Sequence, residues 1–103
     1  MNDNTKDKAF LDLADTFIAL ANQHCTEEDL GRVSAAFLYA AARFNTYVVA
    51  SSAPDAKEFA SYQSRAMIYL QSEYQKMLTE HFADYAEHFN AYLNRTSKGK
   101  TLN

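Results

Sequence analysis

The chain is 103 residues long and 48% hydrophobic, with seven Phe, seven Tyr, no Trp and a formal charge of −3. That length holds one domain, and the apolar content is too high for a disordered chain. Only two Gly and one Pro are present, too few for the turns of an antiparallel β protein, so the composition points to an all-α fold.

Charge is spread unevenly. Residues 1–31 hold seven acids against two lysines, and residues 66–103 hold four of each sign. Arg95, Lys98 and Lys100 fall in the last nine residues, but three charges there do not make the basic stripe of a nucleic-acid surface. The expectation is no nucleic-acid partner. A lone Cys25 gives no internal disulfide and suits a reducing cytoplasm. The opening MNDNTKDKAF lacks the basic-then-apolar order of a signal peptide. Cytoplasmic localisation is therefore expected.

In chain order, the first predicted helix spans about 6–25. Phe10, Leu13, Ala14, Phe17, Leu20 and Ala21 recur at helical spacing, with Asp12, Asp15, Asn22 and Gln23 largely opposite. Thr26-Glu-Glu-Asp29 reads as a start signal with Thr26 as cap, and Gly31 as an interruption before the next helix.

The second predicted helix, about 31–51, is apolar nearly all round, which predicts neighbours on every side. Between Val33 and Pro54 only Arg43 is charged. A membrane span is still the poorer reading, because polar residues interrupt the stretch and a central Arg costs about 2.5–3.5 kcal/mol on insertion scales. Arg32, Tyr39, Arg43 and Tyr47 form a separate polar stripe. It is a candidate site for an anionic ligand, or a structural stripe in which Arg43 pairs with Asp12, Asp15 or Glu73.

Ser51-Ser-Ala-Pro-Asp55 is the clearest boundary, with Ser52 as the expected cap. Helical patterning then runs to about residue 94. The expectation is two helices, 55–79 and 80–94, broken near Thr79, or one long bent helix. Together these elements predict a small three- or four-helix bundle, a single domain over 1–94 with a polar, disordered tail over 95–103.

The stretch EHFADYAEHFNAYL, residues 80–93, repeats Glu-His-Phe after seven positions. In a heptad frame Leu78, Tyr85 and Tyr92 take d and Gln75, Phe82 and Phe89 take a. Glu73, Glu80 and Glu87 then fall at the exposed f position, and Tyr74, His81 and His88 at g. His81 and His88 stand about 10.5 Å apart along a helix axis, too far to share an ion readily. A His–Asp site using Asp84 is conceivable only with ligands from another helix. No metal or cofactor is expected, and no catalytic set: His24 and Cys25 point about 100° apart, and neither a phosphate loop nor a nucleophile–base pair is legible. Phe82, Tyr85, Phe89 and Tyr92 are the candidate interface.

The block GRVSAAFLYAAARFN, Gly31–Asn45, with FLDLADTF, Phe10–Phe17, before it, resembles a small, uncharacterised bacterial family of all-helical domains of unknown function, DUF3144-like, over about residues 9–93. The resemblance implies a compact helical protein of proteobacterial type and implies no activity, substrate or cofactor. The functional expectation is therefore a small non-enzymatic protein acting through protein–protein contact or self-association, with a homodimer as one form. The alternative is a module binding a small anion near Arg43.

Overall fold

A computed structural model describes residues 6–94. The fold is all-α: α1 (Lys8–His24), α2 (Leu30–Ser51), α3 (Ala56–Glu87) and α4 (Phe89–Leu93), with no strand among the described residues. These are the three or four helices expected of a small bundle. The expected tail over 95–103 lies outside the described residues.

The three long helices begin in the same way. Asp7 accepts a hydrogen bond from the Phe10 amide at 2.9 Å, Asp29 from Arg32 at 2.8 Å and Asp55 from Glu58 at 2.8 Å. Each carboxylate satisfies an amide that the first turn leaves without a helical acceptor, and each brings negative charge to the positive end of the helix dipole. Thr26 and Ser52, expected as caps, do the opposite job. Their hydroxyls donate back to Gln23 O at 2.9 Å and Val49 O at 2.8 Å, closing the preceding segment. Both boundaries thus use the same device, a hydroxyl to finish one helix and an aspartate to start the next. Gly31 does not interrupt; it lies in the first turn of α2.

Asp55→Ala is accordingly expected to destabilise the fold by about 1 kcal/mol, within the 0.5–2 kcal/mol seen when caps are removed. Ser52→Ala should stay within about 0.5 kcal/mol. Urea denaturation of the two variants checks the assignment, and equal losses would show that Asp55 is not the cap.

Of the two alternatives for this region, one long bent helix is found rather than a break near Thr79. α3 continues through that position for 32 residues, and the helix ends at Glu87, with His88 as the joint before α4. Thr79 is accommodated because its hydroxyl donates to Gln75 O at 2.9 Å, one turn back. At His88 the backbone takes φ −117° and ψ 31°, well off helical values. α4 then closes on Asn94 in the left-handed conformation, φ 57°.

The chain divides within α2 into two units, one up to Tyr39 and the other from Ala40. In the first, Ile18, Ala21, Asn22, Cys25 and Val33 are half-buried and the apolar face of α1 is open, with Phe17 54% exposed. In the second, α3 carries a half-buried stripe of Phe59, Tyr62, Ala66, Leu70 and Glu73. Their three- and four-residue steps place them on one face. No described residue is fully buried. α2 spans the division, and of its residues Val33, Val49 and Ala50 are half-buried.

Candidate functional site

Beyond Glu73 the half-buried stripe of α3 stops, and every residue from Tyr74 to Ala83 is exposed. This stretch is nevertheless apolar on one side. Tyr74, Leu78 and Phe82 recur every four residues, with Phe82 74% exposed. At about 100° per residue, this face lies roughly a quarter to a third of a turn round the helix from the half-buried stripe. Met67 continues it toward the start of α3, and it too is exposed. The result is a helix with one face partly covered within its own unit and a second apolar face open to water.

The ion pairs lie off this open face. Lys76 pairs with Glu73 at 3.0 Å. Lys8 with Asp12 at 2.9 Å and Arg32 with Glu28 at 3.2 Å are further pairs within one helical turn. Such exposed pairs each contribute only about 0.2–0.5 kcal/mol. They solubilise the wet sides and leave the apolar faces without cover.

The candidate interface residues fall into two pairs. Phe82 and Tyr85 lie on α3, whereas Phe89 and Tyr92 lie on α4, past the joint. Tyr85 is half-buried, because the Tyr92 ring rests on it with centroids 4.5 Å apart and planes at 36°. The Tyr92 hydroxyl donates to Asp84 Oδ2 at 2.8 Å, and His88 Nδ1 lies 3.1 Å from Asp84 Oδ1. Residues eight apart in a straight helix are separated by about 12 Å along the axis, so the Asp84–Tyr92 bond needs the departure at His88. The heptad frame put Tyr92 on the packed side and His88 on its border, but it did not show that both turn to Asp84. The spacing Asp-x3-His-x3-Tyr carries that signal, since groups four apart meet on a helix.

This clasp shifts both of its titrating ends. The Tyr92 hydroxyl holds the Asp84 carboxyl below its ordinary value, against partial desolvation and with help from His88. In return the Asp84 carboxylate, followed by desolvation, pushes the Tyr92 phenol above its ordinary value. Asp84 therefore contributes stability above the ordinary carboxylate range, lost as pH falls through its lowered pKa. Tyr92 contributes below the ordinary phenol range, lost as pH rises through its raised pKa. The clasp is intact across neutral pH. In Asp84→Ala, the Tyr92 phenol is expected to titrate at lower pH than in the parent chain. Following the Tyr92 ring carbons by NMR checks this, and an unchanged titration would show that Asp84 is not the cause.

The polar stripe lies along α2. Arg32 is held by Glu28, the Tyr47 ring sits 5.9 Å from the Phe44 ring, and Tyr39 and Arg43 are exposed. Two of the carboxylates expected to pair with Arg43 are engaged on their own helices, Asp12 by Lys8 and Glu73 by Lys76. Between α2 and α3 a groove of about 280 Å³ is lined by Thr46, Val49, Phe59, Ala66, Met67 and Leu70 among others. None of the four stripe residues lines it, and it presents no charged group. Among the described residues no three His, Cys, Asp or Glu side chains group so as to hold a metal ion. No helix among them is long and apolar enough to cross a membrane.

Capped amphipathic helices with open apolar faces define a small all-α protein of bundle type. Its family follows from the sequence: residues 10–86 match the model described as "Protein of unknown function (DUF3144)", and the chain belongs to that family. The matched span covers most of α1, α2 and α3 and ends before His88. No curated protein and no solved structure matches the chain.

Proposed function

We propose that this protein is a cytoplasmic, non-enzymatic helical module that works by associating with a second copy of itself through the open face of α3. The observation that carries the reading is the apolar run Tyr74, Leu78 and Phe82 on a stretch where every residue is exposed. No described side chain is fully buried, and association over this face would add to the apolar burial that stabilises the fold.

A second copy is favoured over another partner by the flanks of the face. In heptad pairing, charges at e and g select a partner and its orientation. Here Thr79 and Ala86 take e and Tyr74, His81 and His88 take g, so no Asp, Glu, Lys or Arg flanks the face to oppose pairing of like with like. Closed two-fold pairs are the commonest form of self-association, and they bury the same patch on both chains.

Mixing two batches of the chain labelled with donor and acceptor dyes tests the proposal. Energy transfer that unlabelled chain competes away supports it. Absence of transfer at concentrations where the chain is helical contradicts it.

A further inference from the structure

The joint at His88 lies where the Leu78–Phe82–Tyr85 stripe would otherwise run on into Phe89 and Tyr92. Nothing in the composition requires a stop there, since residues 56–94 contain neither Gly nor Pro. The backbone ladder is nearly continuous across it: His88 N donates to Asp84 O and Tyr92 N to His88 O, each at 3.0 Å. Rotating His88 by about 55° in φ and 75° in ψ from its observed values would restore ordinary helix.

What opposes that rotation is a set of side-chain contacts centred on Asp84. It receives the Tyr92 hydroxyl at 2.8 Å and lies 3.1 Å from His88 Nδ1. The Tyr92 ring meets Tyr85 at 4.5 Å and the His88 ring edge-on at 5.8 Å. Glu87 Oε2 stands 4.0 Å from His88 Nε2 on the other side of the imidazole.

We propose that α4 is a latch that ends the association face of α3. With Tyr92 clasped to Asp84, its ring covers Tyr85 and the open stripe stops at Phe82. When the clasp opens, His88 returns to helix, α3 runs straight through residue 93, and Phe89 and Tyr92 extend the stripe by one heptad. The latch thus sets the length of the surface offered to the second copy. Its regulatory consequence rests on the self-association reading; the latch itself does not.

The test uses the full chain, Tyr92→Phe and Asp84→Ala. Tyr92→Phe removes the donated hydrogen bond and keeps the ring, so it opens the clasp without emptying the contact. In the parent chain, a nuclear Overhauser contact between the Tyr85 and Tyr92 rings is expected. Both variants should lose it, gain helical carbon shifts over residues 88–93, and associate about tenfold more tightly in sedimentation equilibrium, as expected when a heptad with two aromatic anchors is added. A ring contact that persists in both variants overturns the latch. So does loss of the contact without a gain of helix, which would mean that α4 only frays. Straightening with no change in an existing association overturns its regulatory role. Straightening in a chain that never associates upholds the latch and defeats the self-association reading instead.

Discussion

Phe82→Asp is expected to weaken self-association by about 2–4 kcal/mol, a factor of roughly 30 to 1,000 in the dissociation constant. At 74% exposure Phe82 touches little in its own chain, and a surface substitution of that kind ordinarily changes stability by no more than about 0.5 kcal/mol. A large effect can then come only from a surface that covers the ring. In a paired face Phe82 occupies a core position, and an aspartate there would be an unpaired buried charge. Sedimentation equilibrium of Phe82→Asp beside Glu80→Gln, a change on the wet side of the same turn, reads this directly. Equal dissociation constants for both variants and the parent would remove Phe82 from the interface.

The second large effect concerns the continuity of α3. Thr79→Pro is expected to destabilise the protein by about 3 kcal/mol or more, because proline removes one backbone donor and its ring clashes with the carbonyl four residues back. A break at that position, as the sequence suggests, would make the same change nearly neutral. Thr79→Ala separates the side chain from the backbone: it loses only the hydroxyl bond to Gln75 O and gains helix propensity, so its effect should stay within about 0.5 kcal/mol. Urea melts of the two variants and the parent decide between the readings. A loss confined to Thr79→Pro supports the uninterrupted helix, and two melts like the parent's would place the break at Thr79.

The element pattern is largely legible in the sequence, for identifiable reasons. Helical spacing of Phe10, Leu13, Phe17 and Leu20 marks α1, and the scarcity of Gly and Pro marks long helices. Observed bounds of Lys8–His24 and Leu30–Ser51 fall within two residues of expectation. Caps were harder to assign, because Thr26 and Asp29, like Ser52 and Asp55, both offer an oxygen near the boundary. Only the chain path shows which oxygen faces forward and which turns back. The joint at His88 was not legible from local propensity, since it is held by a tyrosine eight residues from its carboxylate partner. What covers α2 was not legible for a different reason. An apolar composition says that a helix must be covered, but not whether its own chain or another one covers it.

Thermal melting followed by circular dichroism over a hundredfold range of chain concentration, paired with sedimentation equilibrium of the same samples, separates cover by the same chain from cover by a second copy. If a second copy covers the open apolar face of α3, the mass is at least twice the 11.7 kDa chain and the Tm rises with concentration. A species of 11.7 kDa that is fully helical, with a Tm independent of concentration, would contradict it.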